Sequence, residues 1–179
     1  NINLTVGLIQ GFFVKKDPPV LRHGSGLALD FENSIRRSKI ESNRYECKQG
    51  LYDLSNSRQL NENLYKDMIE TICGIANLGP DEDGYLFIGV ADKEADASRI
   101  KNLDSIEPKA INQRYVVGID RELNLLKGNL DDYINKLMGK ISKSDLSEPL
   151  KSQVLSQIDV IEYKGMTVIR LRVPKQKEM

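Results

Sequence analysis

The chain has 179 residues, with 26 basic and 26 acidic side chains and a formal net charge of zero. Domains of this size hide roughly 70% of the surface of the unfolded chain, so a full core can form without disulfides or structural metal ions. The balanced charge argues against a protein that coats nucleic acid through bulk positive charge. Two cysteines, Cys47 and Cys73, are too few for a disulfide framework or a zinc knuckle, and no apolar run reaches the ~18 residues of a membrane span. We therefore expect one compact cytoplasmic domain that has no membrane partner.

The first part of the chain has the weakest pattern. The apolar run 6–14 predicts a strand, the glycine-rich stretch 23–26 predicts a loop, and a short helix is expected over 30–38. The glycine-rich stretch lacks the lysine and hydroxyl residue of a phosphate-binding loop, which argues against ATP hydrolysis by this segment. We assign residues 1–37 to an N-terminal extension or a linker from an upstream region, and residues 38–179 to the domain.

A helix and a buried strand are predicted in the middle of the chain. Residues 50–60 are polar and predict an exposed loop, whereas residues 61–77 carry apolar side chains at helical spacing. These apolar residues are Leu64, Met68, Ile72 and Ile75. Turn-forming residues at 78–83 separate the helix from the apolar run 84–91, which predicts a buried strand. A long loop is expected beyond Asp92.

The last third of the chain predicts a second helix and a hairpin. Residues 120–122 are charged and predict another loop, and Asn129 then caps an amphipathic helix. The buried stripe of that helix consists of Leu130, Tyr133, Ile134, Leu137, Met138 and Ile141. Residues 156–163 and 166–173 predict a β-hairpin across a Lys-Gly turn. Together these elements predict an α+β fold, with a mixed, largely antiparallel sheet and helices packed mainly on one face.

A carboxylate and an ammonium lie two residues apart on the strand that precedes the first predicted loop. Side chains alternate along an extended strand, so Arg44, Glu46 and Lys48 are expected on one face, with Tyr45 and Cys47 on the other. In metal-dependent nucleases such a carboxylate holds a hard divalent cation, and the lysine neutralises charge on phosphate. By itself a Glu-x-Lys triplet is also common on solvated strand faces.

The order in which several motifs follow one another is more specific than any one of them. Glu41 is followed after four residues by Glu46 and, one residue later, by Lys48. A helix that ends in Ala-Asn comes next, and then the strand 84–90, Gly-Tyr-Leu-Phe-Ile-Gly-Val, leads to Asp92. In this combination the chain resembles the Schlafen AlbA-like domain. Two further segments match the family pattern, 115–120 and 163–174.

The resemblance covers roughly residues 38–175 and implies a single Schlafen AlbA-like unit with an acidic triad. Glu41, Glu46 and Asp92 match the carboxylates that hold Mg²⁺ or Mn²⁺ in Schlafen-type nucleases, and Lys48 matches the adjacent lysine. The implied activity is nucleic-acid processing by a metal-dependent endoribonuclease or nuclease module, with RNA favoured over DNA as partner. The resemblance also implies that two units pair as a homodimer to form the substrate groove. Because the sequence starts with Asn1 rather than Met and stops just after a predicted strand, we also expect further domains in a longer protein.

Three arginines are candidates for contacts with a nucleic-acid backbone. Arg44 lies next to the Glu-x-Lys triplet, while Arg170 and Arg172 alternate with apolar residues in the last predicted strand. The apolar side of that strand is expected to face the core, so both arginines are predicted to point outward. Such a surface can bind phosphates with little sequence readout, although a solvated sheet face explains the same pattern.

Three other interpretations stay open. In a non-catalytic DNA- or RNA-binding module of a regulatory or defence protein, phosphate is contacted by Lys48, Arg44 and the arginines near the end of the chain, while the glutamates hold those side chains in place by ion pairing. In a PD-(D/E)xK nuclease, the Glu-x-Lys strand acts with Asp30 or Glu41 as the upstream acid. The third interpretation is a plain interaction scaffold. The chain has one histidine, His23, which excludes a two-histidine ribonuclease mechanism.

Overall fold

The computed structural model describes residues 21–23, 25–38 and 42–176. Its elements in chain order are β1 (Leu21–His23), α1 (Ser25–Arg37), a 3₁₀ turn (Ser42–Arg44), β2 (Tyr45–Lys48), α2 (Glu62–Ala76), β3 (Gly84–Ile88), β4 (Val90–Ala91), α3 (Glu94–Asp104), β5 (Lys109–Ile111), β6 (Arg114–Val116), α4 (Asp120–Leu126), α5 (Leu130–Ser142), α6 (Leu150–Leu155), β7 (Ile158–Tyr163) and β8 (Met166–Val173). The predicted strand at 6–14 and the candidate ligand Glu41 lie outside the described residues. Within the described ranges no helix is long and apolar enough to cross a membrane.

Two sheets carry the described strands. The main sheet has the order β1-β7-β8-β3-β2, and a smaller sheet has the order β4-β6-β5. Antiparallel pairs join β3 to β8, β7 to β8, β4 to β6 and β5 to β6, whereas β1–β7 and β2–β3, at the two edges of the main sheet, are parallel. The predicted α+β class with a mixed, largely antiparallel sheet is therefore confirmed.

Each face of the main sheet has its own core. On one face Leu86 and Ile88 of β3 join buried residues of α2, α5 and α6 in the larger cluster. On the other face Phe87 joins Phe31 and Ile35 of α1 in a second cluster. Helices thus lie against both faces, because alternate residues of β3 are apolar on both sides. The expectation that helices pack mainly on one face is not confirmed.

Asparagine caps define where the two longest predicted helices begin. The Asn61 side chain accepts hydrogen bonds from the backbone N–H groups of Asn63 and Leu64 at the start of α2. Asn129 and Asp132 form a reciprocal capping box at the start of α5. These bonds satisfy donors that a helix N-terminus otherwise leaves open, and both predicted helices are confirmed.

The hairpin of β7 and β8 also follows the prediction. Its turn residues Lys164 and Gly165 have φ angles of 48° and 80°. Positive φ at both central positions is the type I′ geometry, whose twist matches the twist of the two strands. The predicted Lys-Gly turn is therefore confirmed.

Helix α1 begins earlier than the sequence pattern indicates. The predicted loop at 23–26 is wrong, since α1 begins at Ser25 and runs through the predicted helix to Arg37. Phe31 and Ile35 are buried against the main sheet, and β1 pairs with β7. The stabilisation of this segment comes from tertiary packing, which the glycine-rich local sequence does not indicate.

Two other predicted loops contain helices. The segment after Asp92 forms α3 and β5, and the charged residues at 120–122 open α4. Helix α3 buries only Ala97 and Ile100, so its apolar stripe is too sparse to give a clear helical period. In α4 the buried residues, Arg121 and Glu122, are charged, whereas the buried side of a helix is usually apolar.

Candidate functional site

Glu46 and Lys48 lie on β2, an edge strand of the main sheet. Glu46 is level with Leu86 of β3, and Lys48 is level with Ile88. Cys47 between them is buried on the opposite face of the strand, as the alternation predicts. The Glu46 Oε1 atom lies 3.1 Å from Lys48 Nζ, so the two side chains form an ion pair on one face of the strand.

Arg44 does not share that face by strand alternation. It is the last residue of the 3₁₀ turn, and β2 begins one residue later at Tyr45. Its Nη1 group donates a hydrogen bond to the carbonyl oxygen of Glu82. The predicted alternation fails at Arg44 because the backbone there is helical rather than extended. A contact of Arg44 with nucleic acid stays a prediction.

Asp92 follows β4 and is paired with a cation on the neighbouring strand. Ala91 is opposite Tyr115 in the antiparallel β4–β6 pair, so Asp92 and Arg114 are the next cross-strand neighbours. The distance from Asp92 Oδ1 to Arg114 Nη1 is 2.8 Å. Arg114 has no counterpart in the sequence motif, and it is a site residue that only the strand pairing reveals.

Gly89 lies between β3 and β4 and hydrogen-bonds to β2, the strand that carries Glu46. Its N–H donates to the Lys48 carbonyl oxygen at 2.8 Å, and its φ angle is +105°. A Cβ at this position would lie 3.2 Å from the Thr167 carbonyl oxygen and 3.3 Å from Gly118 backbone atoms. The turn at Gly89 takes the chain out of the main sheet into β4, which contacts β2. A side chain there is disfavoured by both the φ angle and the crowding.

The Cys47 thiol shows that charges from both strands converge at this end of the fold. Burial raises the pKa of Cys47 to about 12, while the hydrogen-bonding Arg114 guanidinium acts in the opposite direction. The charges of Asp92 and Glu46 also raise the pKa of this thiol. The thiol is thus neutral at physiological pH. The charges of both predicted carboxylates and of Arg114 all influence its pKa.

The donor chemistry fits a hard divalent cation that keeps part of its water shell. Glu46 and Asp92 supply carboxylate oxygens that solvent reaches, and Mg²⁺ is commonly bound by one or two carboxylates together with water and phosphate oxygens. In the described part of the chain no group of three or more His, Cys, Asp or Glu side chains could hold a metal ion. The third predicted ligand, Glu41, is not among the described residues, so the three-carboxylate site stays a prediction.

A family model described as Schlafen, AlbA_2 matches residues 41–179. The chain belongs to this family. The match begins at Glu41 and includes Glu46, Lys48 and Asp92, so the resemblance inferred from the motifs is confirmed. No curated protein and no solved structure matches the chain. Membership of the Schlafen AlbA_2 family indicates a domain that is associated with nucleic acid.

Arg170 of this Schlafen AlbA_2 domain does not point into solvent as predicted. Its side chain is only 12% exposed and lies on the second face of the sheet, beside α1. Nη1 donates to Asp30 at 2.7 Å, and Nε and Nη2 donate to Asp159 at 3.0 and 2.6 Å. The guanidinium carbon lies 5.5 Å from the centre of the Tyr85 ring. The prediction of an outward arginine is wrong here because α1 places Asp30 against this face.

Arg172 is more accessible than Arg170. Its side chain is about half-exposed and forms an ion pair with Asp83. Asp83 also accepts a hydrogen bond from the Lys175 N–H at 2.9 Å, so the turn before β3 is tied to the end of β8. Whether Arg170 or Arg172 contacts nucleic acid stays a prediction.

Behind β2, the Schlafen AlbA_2 domain has a buried carboxylate that the sequence pattern did not identify. Glu122 is fully buried and accepts hydrogen bonds from the N–H groups of Leu51, at 2.9 and 3.0 Å, and Tyr52, at 2.8 Å. It also accepts from the Tyr133 hydroxyl at 3.0 Å. A Cβ on Gly50 would lie 1.7 Å from Glu122 Oε1, so glycine is required there. The chain that follows Lys48 is therefore held by α4.

Arg121 holds the same segment from its other side. It donates to the Gln49 carbonyl oxygen at 2.6 Å and to the Gly118 carbonyl oxygen at 3.2 Å. It also pairs with Asp104 at 3.1 Å, and Asp104 in turn pairs with Arg58. In sequence the Asp-Arg-Glu stretch is typical of an exposed loop, so no local signal identifies these buried partners.

Proposed function

We propose that this domain processes nucleic acid as a divalent-metal-dependent endoribonuclease or nuclease module, with RNA as the favoured substrate. Glu46 and Asp92 hold Mg²⁺ or Mn²⁺ together with Glu41. The observation that carries the proposal is that Glu46, on β2, and Asp92, at the end of β4, lie on two strands that contact each other, each within 3.1 or 2.8 Å of a cation, Lys48 or Arg114. Family membership independently supports an association with nucleic acid.

Each described residue has a chemical role in this proposal. Glu46 and Asp92 provide negatively charged oxygen ligands, which suit a hard cation. A bound divalent ion supplies charge neutralisation on the phosphate and lowers the pKa of a coordinated water. Lys48 stabilises negative charge that develops on the phosphate during attack, since its ammonium lies 3.1 Å from the Glu46 carboxylate.

The first test is a cleavage assay on transfer RNA, single-stranded RNA and duplex DNA, with and without Mn²⁺. We expect Glu46→Gln and Asp92→Asn each to lower the metal-dependent cleavage rate by orders of magnitude, because the charge is lost while the side-chain volume is kept. Glu94→Gln is the matched control, since Glu94 is exposed and close to Asp92 in the chain. If the wild type cleaves and both site variants cleave equally fast, the assigned site is wrong.

A non-catalytic binding module is the second candidate, and the ion pairs favour it. Glu46 and Asp92 are each neutralised by a neighbouring cation, as expected if the carboxylates only hold Lys48 and Arg114 in place for phosphate contacts. The two candidates differ in the wild type itself. A protein that binds nucleic acid but cleaves no substrate with any divalent metal supports the binding module and contradicts the nuclease.

A further inference from the structure

The two acid–cation pairs have the same arrangement. In the Glu46–Lys48 pair the carboxylate side chain is 42% exposed and the lysine 22%. In the Asp92–Arg114 pair the carboxylate side chain is 56% exposed and the arginine 17%. In both cases solvent reaches the anion more easily than the cation. A small hydrated cation from solution can therefore approach each carboxylate without first displacing the side chain of its partner.

Arg114 depends strongly on its partner. Its side chain is only 17% exposed, and its Nη1 atom lies 2.8 Å from the Asp92 carboxylate. A guanidinium that is mostly withdrawn from water needs an anion nearby, because an unpaired buried charge is costly. If Asp92 turns to a metal ion, Arg114 loses that anion. A phosphate oxygen is the natural replacement, since guanidinium groups bind phosphate in directed, charge-assisted hydrogen bonds.

The net charge of the site also favours a phosphate next to Arg114 once a metal ion is bound. Without a metal ion, the two carboxylates and the two cations cancel. The third proposed ligand, Glu41, adds one negative charge, so a divalent cation changes the net charge of the site from negative to positive, and Lys48 and Arg114 carry the positive surplus. That surplus attracts a phosphodiester backbone, and the bound backbone in turn stabilises the metal-bound state, because coupling between two ligands is reciprocal.

We propose that Arg114 is a charge switch. It neutralises Asp92 in the metal-free protein, and it releases Asp92 and contacts a nucleic-acid phosphate when a divalent cation is bound. The inference rests on the proposed function, because it takes Asp92 as a metal ligand. It adds a substrate-contacting residue outside the Glu-x-Lys motif, and it predicts that metal and nucleic acid bind cooperatively.

The test compares Arg114→Gln with Lys93→Gln. Lys93 is exposed and adjacent to Asp92, so its variant removes one positive charge without breaking the ion pair. Mn²⁺ affinity is measured by calorimetric titration in the absence of nucleic acid. We expect Arg114→Gln to bind Mn²⁺ about fivefold or more tightly than the wild type, within the usual range of coupling between sites. Lys93→Gln should change the affinity by less than about twofold, as is typical of an exposed charge.

The second measurement is the affinity for a 2′-O-methyl RNA oligonucleotide, which resists cleavage, with and without Mn²⁺. In the wild type and in Lys93→Gln, Mn²⁺ should strengthen RNA binding. In Arg114→Gln this enhancement should fall clearly below that of Lys93→Gln, and the part that remains is due to Lys48. Arg114→Lys serves as a second variant if loss of the charge destabilises the fold. It keeps the charge that competes with Mn²⁺, so its metal affinity should stay close to that of the wild type.

The outcomes separate the switch from the proposed function. If Arg114→Gln and Lys93→Gln give the same Mn²⁺ affinity, or if the Mn²⁺ enhancement of RNA binding is as large in Arg114→Gln as in Lys93→Gln, the switch is overturned while the metal site stands. If the wild type binds no Mn²⁺, or binds it as tightly as Asp92→Asn does, the metal site fails and the switch fails with it.

Discussion

Replacing Glu122 with alanine should destabilise the domain more than any exposed substitution. The carboxylate is fully buried and is the acceptor for three donors, the N–H groups of Leu51 and Tyr52 and the hydroxyl of Tyr133. Each buried donor left without a partner costs about 1–3 kcal/mol, so three give about 3–9 kcal/mol. Water that enters the space relieves part of this cost. We expect a loss of about 4 kcal/mol, which is a large fraction of the roughly 5–15 kcal/mol typical of a folded domain.

The assay is urea unfolding at neutral pH. The chain has no tryptophan, so far-UV circular dichroism is the suitable probe. The midpoint should fall in Glu122→Ala with little change in the slope m. Glu122→Gln keeps one acceptor oxygen and should fall between Glu122→Ala and the wild type, while the exposed control Glu94→Ala should stay within about 0.5 kcal/mol of the wild type. A loss below about 1 kcal/mol in Glu122→Ala would refute the reasoning, because the donors must then have other partners.

The same carboxylate predicts a pH dependence. Burial raises the pKa of Glu122 above its ordinary value of 4.5, against the opposing effects of Arg121 and the hydrogen-bond donors. Between the ordinary pKa and the raised pKa the folded state binds more protons than the unfolded state, so this group makes stability fall as the pH rises through that window. Glu122→Gln removes the titrating group. The difference in unfolding free energy between the two proteins should therefore change with pH across that window and be constant elsewhere.

Three further predictions concern the charged residues of the sheet. Lys48→Met should lower the single-turnover cleavage rate by orders of magnitude while changing affinity little, because the ammonium acts mainly in the transition state; a variant that keeps full cleavage activity would remove Lys48 from catalysis. Arg172→Gln should reduce the slope of log affinity against log salt on duplex DNA by about 0.9, as expected for one phosphate contact, and an unchanged slope would assign this residue to solvent. Arg170→Gln should instead lower the melting temperature, because Asp30 and Asp159 lose the cation that they share.

Local sequence patterns determined the elements whose stabilising contacts are close in the chain. The caps at Asn61 and Asn129 act on residues two or three positions away, and the turn at Lys164 and Gly165 joins adjacent strands. The alternation of Glu46 and Lys48 follows from the period of an extended strand. The order of the motifs, which resembles that of a known family, was sufficient to predict a Schlafen AlbA-like domain.

Only the tertiary structure determined which charged side chains, distant in sequence, form ion pairs with each other. Asp92 and Arg114 meet because β4 and β6 pair, and no spacing in the sequence indicates that partner. Arg170 is largely shielded from solvent rather than exposed, because α1 brings Asp30, 140 residues away in sequence, against the sheet. The sequence around a charged residue does not show whether its side chain is exposed to solvent or buried in an ion pair. That difference depends on the neighbours which the fold supplies, since burial of a charge is stable only where a partner offsets the loss of water.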